Sequence, residues 1–214
     1  MRIAPTGTHD FGRSSRCNGV GDALIRAMGR LAAPILSSLE TWILSLSERD
    51  VVVTWEHDPH SEFGPATTIQ FAPKSLFACP LNVTVLEDGH CGFDLDSWSR
   101  LAHRMGVGVC RLGLGNVDPA ALFVEPTALE ADRVLSICQA VARGAVRLTV
   151  GLAFGRITAT LGSVVLPSGV VAMYGVGGPL LANRLLRRLG YGDVVEVAYE
   201  PWDSVSGMTG RVQV

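Results

Sequence analysis

A helix, a glycine stop and a strand follow one another between residues 179 and 199. Pro179 can begin a helix, because a first-turn N–H has no intrahelical partner to lose. Gly190 can take the left-handed conformation that closes a helix. The alternation of residues from Val194 to Tyr199 then predicts a strand. The leucines that recur on one face of the helix are Leu181, Leu185 and Leu189. A chain with this pattern must combine helices with strands.

Three further helices are predicted upstream. Apolar residues from Leu24 to Leu46 recur at helical spacing, and Pro34 divides or kinks that stretch. Asp96 is the predicted cap of a helix that begins near Trp98 and ends at Gly106. A capping box from Thr127 to Glu130 begins the next helix, which ends at Gly144 and has its apolar face on Val134, Ile137, Cys138 and Val141.

Strands are predicted between and after these helices. Residues 81–86 and 91–95 form a predicted hairpin across the turn 87–90. Residues 56–65 are expected to form a polar loop. After Ala145 the hydrophobic period changes from that of helices to that of strands. The other predicted strands are 51–55, 67–71, 146–152, 157–161 and 169–174. The fold class expected is α+β, with a mixed helix and antiparallel-strand amino-terminal part and a small β-rich carboxy-terminal part.

The phrase Leu-Leu-x-x-Leu-Gly-x-Gly-Asp-Val-Val-x-Val, from Leu185 to Val197, resembles a phrase of the SPOA domain. That domain builds the cytoplasmic ring of type III secretion systems and the flagellar switch. The order of elements upstream is similar to the amino-terminal region of the ring protein of YscQ/HrcQ type. Residues 1–20 contain no apolar core of the kind that a signal peptide needs and are expected to form a disordered tail. With the resemblance, the rest of the chain divides into an α+β domain (21–163) and a SPOA-like domain (164–214).

The resemblance implies a structural component of the cytoplasmic ring, or sorting platform, of a type III protein secretion system, and not an enzyme. It implies a role in virulence-associated protein transport. The implied location is the cytoplasm, peripheral to the inner membrane through the secretion apparatus. The implied partners are a second SPOA-domain protein, the stator or linker of the secretion ATPase, and chaperone–cargo complexes, in a hetero-oligomer. The partner interface is predicted at Val170, Leu185, Leu186, Val194, Val195, Val197 and Tyr199.

Composition limits the partners. Lys and Arg number 18 against 20 Asp and Glu, a formal net charge of -2, so no overall field attracts nucleic acid. Hydrophobic residues make up 48% of the chain and mean hydropathy is +0.30, which indicates that a partner covers part of the surface. Arg184, Arg187 and Arg188 form a local basic face. A solvated face is the favoured interpretation, and contact with an acidic partner segment is the alternative.

Cysteines and the longest uncharged run indicate a cytoplasmic chain without a membrane span. The five cysteines are an odd number without a C-x-x-C pair, which fits a reducing compartment better than a disulfide framework. Nothing charged lies between Arg156 and Arg184, but glycines and prolines divide this run into strands and turns.

Two polar clusters contain residue types suited to metal binding or catalysis. His57, Asp58, His60 and Glu62 are possible metal ligands, but their spacing does not fit a helical zinc site, and a solvated loop is favoured. His90 and Cys91 near Asp88 resemble a thiolate–imidazole pair. Adjacent strand residues point to opposite faces, so a hairpin turn is favoured. No metal, cofactor or catalytic residue is therefore predicted.

The alternative function is a small NAD(P)- or nucleotide-binding enzyme that uses the loop from Gly175 to Gly178. A strand, a glycine loop, a helix and a second strand follow one another there, in the order of a dinucleotide-binding unit. Leu180 occupies the position of the third glycine, so the glycine loop is expected to be an ordinary turn.

Overall fold

The structure is a computed structural model, and it describes residues 30–46, 50–61, 63–109, 120–177 and 185–203. Within strands, it describes the backbone but not the side chains of residues 121–126 and 170–177. The predicted tail (1–20), residues 24–29 of the first predicted helix, and the stretch 178–184 with Pro179, Leu181 and Arg184 lie outside the described residues.

The described residues form three helices: α1 (Ala33–Ile43), α2 (Trp98–Met105) and α3 (Ala131–Ala142). A short helical turn at 185–188 is a separate element. Pro34 lies in the first turn of α1, where its missing N–H costs nothing. The predicted apolar face of α3 is confirmed. Its four residues are buried: Val134, Ile137, Cys138 and Val141. None of the described helices has the length and apolar character needed to cross a membrane.

The strands are β1 (Val51–Asp58), β2 (Ala66–Pro73), β3 (Leu81–Leu86), β4 (His90–Ser97), β5 (Gly108–Val109), β6 (Ala120–Ala128), β7 (Val146–Ala153), β8 (Arg156–Leu166), β9 (Gly169–Gly177) and β10 (Gly192–Ala198). With the three helices they confirm the α+β fold class. The hairpin of β3 and β4 is also confirmed, because Leu81 pairs with Leu95 and Val85 with Cys91.

One sheet contains all ten strands. Nine of them lie in the order β1-β2-β3-β4-β6-β9-β8-β7-β10, and β5 pairs with β8 outside this path. These neighbours are antiparallel, whereas the short strand β5 runs parallel to β8 beside its first residues. The part from β1 to β6 meets the part from β9 to β10 where Phe123 pairs with Tyr174. A single cluster of buried residues contains side chains from α1, α2, α3 and both parts of the sheet.

The sequence predicted a boundary between residues 163 and 164, and this position lies within β8. Ser163 and Val164 pair with β7 on one side and with β9 on the other. Across the two parts, the indole N–H of Trp98 on α2 donates to Thr160 Oγ1 on β8 at 3.2 Å. A division of the chain at 163/164 would therefore cut through a strand that is hydrogen-bonded on both edges.

Three local predictions are wrong. Helix α2 is capped by Ser97, whose hydroxyl accepts from Arg100 N, and not by Asp96. The capping box does not form, because Thr127 lies in β6 and the side chain of the N-cap residue Glu130 makes no capping hydrogen bond. The polar loop is shorter than predicted, since β1 continues to Asp58.

Residues 199–202, which we call the strap, follow β10 and lie against the amino-terminal part. Glu200 N–H donates to the carbonyl of Phe77, and Trp202 N–H donates to the carbonyl of Ala142. The second bond satisfies a carbonyl in the last turn of α3, which has no partner inside the helix. The strap therefore joins the loop after β2 to the end of α3.

Gly144 allows this close approach. Its φ is +71°, and a Cβ built there would lie 2.6 Å from the carbonyl oxygen of Tyr199 and 2.9 Å from Pro201 N. Both are backbone atoms, which cannot move aside as a flexible side chain does. Gly106 has a similar φ of +67° but no atom within 4 Å of its position for a Cβ.

We expect Gly144→Ala to lower the free energy of unfolding by about 2 kcal/mol more than Gly106→Ala does. Both variants pay for a positive φ, about 1–2 kcal/mol, but only the first collides with the strap. Urea denaturation of both variants measures the difference. Equal losses would show that the strap does not depend on the close contact at Gly144.

Candidate interaction surface

Phe154 occupies an unfavourable turn position. The two-residue turn between β7 and β8 consists of Phe154 and Gly155, with φ values of 51° and 70°. Such hairpin turns favour Asn, Asp or Gly at the first position, because a larger residue with positive φ is strained. The Phe154 side chain is nevertheless 72% exposed, so burial in the core does not offset the strain.

Phe154 belongs to an exposed apolar surface. Its ring lies 5.7 Å from the ring of Tyr191, and its N–H donates to the Tyr191 carbonyl. Leu185 and Leu189, one helical turn apart, precede Tyr191. The exposed fractions of Leu185, Leu189 and Tyr191 are 59%, 61% and 57%. We call these four residues the Phe154 patch; a group of large exposed apolar side chains is typical of a protein-binding surface.

The local structure of residues 185–198 places the leucines and Tyr191 beside the β7–β8 turn. Leu186 is half-buried and its carbonyl accepts from Tyr191 N–H, which turns the chain at Gly190 (φ +77°). Gly192 then pairs with Ala153, so β10 begins beside the end of β7. The turn therefore brings the predicted helix end and the β7–β8 turn together.

The predicted interface residues lie in different environments. Leu185 is exposed, whereas Leu186, Val194 and Val195 are half-buried. Val197 and Tyr199 are buried in the core of the chain itself. Val170 lies in β9, where the structure describes the backbone alone.

Strand β10 has a strand partner on one edge, β7, and none along residues 192–198 on the other edge within the described part of the chain. Side chains satisfy some polar groups of that outer edge. Arg104 Nη2 donates to the Ala198 carbonyl at 3.0 Å, and Val194 N–H donates to the carboxylate of Asp193 at 2.8 Å. These bonds leave less of the edge for an added strand.

A buried polar network lies under the strap. The Tyr199 hydroxyl donates to Asp96 Oδ2 at 2.8 Å, and Ser97 N–H donates to Asp96 Oδ1 at 2.8 Å. Arg100 lies 3.9 Å from the same carboxylate and donates to the carbonyls of Ser75 and Ala78. The network fixes Asp96 in its positive φ of 52°, and the Asp96 side chain is 1% exposed.

Burial is the main cause of the pKa shifts in this network. Burial raises the pKa of Asp96, while the nearby Arg100 guanidinium lowers it by a smaller amount. Burial also raises the pKa of the Tyr199 hydroxyl. Burial therefore favours the neutral forms of both groups, whereas the Arg100 guanidinium and the hydrogen bonds from Ser97 and Tyr199 favour the Asp96 carboxylate.

The polar cluster near His57 lies on β1 and the following turn. His57 Nδ1 is 3.2 Å from the hydroxyl of its cross-strand partner Thr67, and the Asp58 carboxylate accepts from His60 N–H. Glu62 lies outside the described residues. Within the described ranges, no group of three or more His, Cys, Asp or Glu side chains is placed to hold a metal ion.

The second cluster is the predicted hairpin turn. His90 Nδ1 lies 2.9 Å from the Asp88 carboxylate. Cys91 points to the buried face, and burial raises the pKa of its thiol to about 12. The thiol is therefore protonated near neutral pH and is not an activated nucleophile.

The glycine segment does not form a dinucleotide-binding unit. Gly175 and Gly177 lie in β9, which pairs antiparallel with β8, and Gly178 lies outside the described residues. Strands β8 and β7 separate β9 from β10, and each pairing along that path is antiparallel. β9 and β10 therefore run in opposite directions, whereas a dinucleotide-binding unit requires parallel strands joined by a helix.

The sequence prediction missed Phe154 and Tyr191. One signal was present: the predicted strands 146–152 and 157–161 enclose the dipeptide Phe154-Gly155, which occupies a hairpin-turn position where Asn-Gly or Asp-Gly is usual. A phenylalanine there is a local inconsistency, and such inconsistencies concentrate at functional sites.

We compared the chain with models of known protein families, with curated proteins and with solved structures, and none of the three comparisons gave a match.

We expect Phe154→Asn to leave the free energy of unfolding unchanged or to raise it by up to about 1 kcal/mol. Asn tolerates a positive φ, which offsets the loss of the exposed contact between the two rings. Urea denaturation measures the change. A loss greater than about 1 kcal/mol would show that the ring stabilises the fold and is not held for another purpose.

We expect Asp96→Asn to change how stability depends on pH. The unfolded chain releases the Asp96 proton near pH 4, whereas the folded chain holds it to a higher pH. Asp96 therefore lowers the stability of the parent as the pH rises from about 4 through the folded pKa. Asp96→Asn lacks this contribution.

Urea denaturation between about pH 4 and pH 8 gives the difference in unfolding free energy between parent and variant, which must shift in favour of the variant as the pH rises. Asp132→Asn, which removes an exposed carboxylate on α3, is the control. A difference that does not vary with pH would contradict the assignment.

Proposed function

We propose that this chain is a non-catalytic structural component of a multiprotein assembly and binds its partner through the Phe154 patch. The observation that carries the proposal is the exposed ring of Phe154 at a turn position with a φ of 51°. Strain of this kind persists where a function requires the residue. An exposed aromatic ring suits a binding surface, because aromatic side chains supply much of the contact energy in protein interfaces.

We further propose, as the finer form of this function, a role in the cytoplasmic ring or sorting platform of a type III secretion system. Support comes from the SPOA-like phrase between Leu185 and Val197. Leu185 and Leu186 lie in the helical turn, Leu189 follows it, Gly190 has the left-handed conformation of a helix stop, and the valines lie in β10. The phrase thus has the helix, glycine and strand order that the resemblance implies.

In that proposal the protein works in the cytoplasm, at the inner membrane through the apparatus. Its partners are a second SPOA-domain protein, the stator or linker of the secretion ATPase, and chaperone–cargo complexes, in a hetero-oligomer. The carboxy-terminal SPOA-like domain belongs to the same proposal. The Phe154 patch would meet one of these proteins, and Val197 and Tyr199 would support it from inside the fold.

Co-expression with a SPOA-domain protein from a neighbouring reading frame tests the proposal. We expect a stable complex that co-elutes in size-exclusion chromatography. Leu189→Gln should weaken that complex at least about tenfold, because it places a polar group in the centre of an apolar contact.

Leu44→Gln is the matched control. Leu44 is 64% exposed, close to the 61% of Leu189, but it follows α1 and is not part of the Phe154 patch. The absence of a complex with the SPOA-domain protein would overturn the secretion proposal. Equal effects of the two glutamine variants would overturn the role of the patch.

A further inference from the structure

Arginines border the Phe154 patch. Arg156 follows the Phe154-Gly155 turn, and Arg187 and Arg188 lie between the two leucines of the patch. In the segments 154–156 and 185–193, Asp193 is the acidic residue, so three positive charges face one negative charge, an excess of two. The whole chain has a formal net charge of -2, so the sign around the patch is opposite to that of the protein.

Two of these arginines are available for a partner. Arg187 Nε lies 3.2 Å from Asp193 Oδ1, and this ion pair uses the one carboxylate of the segments 154–156 and 185–193. Arg156 and Arg188 are exposed, and their side chains make no hydrogen bond or ion pair with any residue of the described ranges. Guanidinium groups bind carboxylates in a bidentate geometry, which makes free arginines suitable for an acidic partner.

The apolar part of the patch consists of two exposed leucines and two exposed aromatic rings. Leu185 and Leu189 are one helical turn apart, and the rings of Phe154 and Tyr191 lie side by side at 5.7 Å. A helix with apolar residues at i, i+3, i+4 and i+7 presents a complementary stripe, and ridges of side chains pack into the grooves of such a stripe.

We propose that the Phe154 patch binds an acidic amphipathic helix of a partner protein. The leucines and aromatic rings would contact the apolar stripe of that helix, and Arg156 and Arg188 would bind carboxylates on its flanks. The inference rests on the proposed function, because it names the chemistry of the partner that the patch binds.

Charge favours a protein partner over a membrane or a nucleic acid. Segments that bind anionic lipid typically carry clusters of about four to eight basic residues. The patch has an excess of two, and the net charge of -2 opposes approach to any extended anionic surface. A helix with a few carboxylates matches two free arginines.

Synthetic peptides test the inference with the full chain. One fluorescein-labelled peptide of about 18 residues, or five helical turns, has a leucine stripe flanked by Glu, and a second has Gln at the same positions. In fluorescence anisotropy at about 0.05 M salt, we expect the Glu peptide to bind at least about tenfold more tightly than the Gln peptide. Salt at about 0.5 M should remove most of that difference, because it screens exposed charges.

Charge reversal provides the matched pair of variants. Arg188→Glu should weaken binding of the Glu peptide about tenfold and leave the Gln peptide unchanged. Arg133→Glu, at an exposed arginine of α3, should change neither. Melting curves that match the parent show that both variants are folded.

The outcomes separate the inference from the proposed function. Equal binding of both peptides, lost in Leu189→Gln, would overturn the choice of an acidic partner and leave the patch as a protein-binding surface. Failure of both peptides to bind would overturn the helix proposal, whatever the result with the SPOA-domain protein. Binding to vesicles of phosphatidylcholine with about one third phosphatidylserine, lost in Arg188→Glu, would overturn it in favour of a membrane surface.

Discussion

The hydrogen bond from Tyr199 to Asp96 joins the strap to the end of β4. It places the strap over the loop after β2 and the end of α3, where Trp202 stacks on Phe71 at 5.4 Å and donates to the Cys79 carbonyl at 2.8 Å. A buried carboxylate without such partners would be costly, so the bond and the burial depend on each other. Strand β10, which leads into the strap, pairs with β7 from Gly192 to Ala198.

The two non-glycine residues with positive φ among the described residues have opposite roles. Asp96 is buried, and hydrogen bonds from Ser97 and Tyr199 hold it in that conformation. Phe154 is exposed, and its backbone bond to Tyr191 holds the turn without burying the ring. Internal hydrogen bonds offset the backbone strain at Asp96. At Phe154 no burial of the side chain offsets the strain, and the proposed function explains it by binding to a partner.

The sequence predicted those parts of the fold that local chemistry determines. The hairpin of β3 and β4 follows from its turn, and the buried face of α3 follows from its period. Asp96 and Ser97 are both good capping residues; Ser97 Oγ accepts from Arg100 N–H, whereas the Asp96 carboxylate accepts from Tyr199, a partner 103 residues away that no local pattern indicates. The β-α-β order around Gly175 does not determine strand direction, because pairing partners are chosen by contacts distant in sequence.

The candidate surface was predictable only in part. Leu185 was named from its motif, but the same alternation that predicted Val197 at an interface also describes a strand buried in its own core. Periodicity shows which side of a strand is apolar. It does not show whether the same chain or a partner covers that side. Phe154 and Tyr191 become neighbours through the pairing of Gly192 with Ala153, which no local pattern encodes.

The strap also sets an order of events during synthesis. Tyr199 and Trp202 bond to groups 103 and 123 residues earlier in the chain. At a ribosomal rate of about 5–20 residues per second, the surfaces around Asp96 and Phe71 wait roughly 5–25 s for these residues. During that interval the Asp96 carboxylate and the apolar ring of Phe71, which the strap later contacts, are open to other chains. The window in which the nascent protein is most exposed to misassembly therefore closes only when its last described residues have emerged.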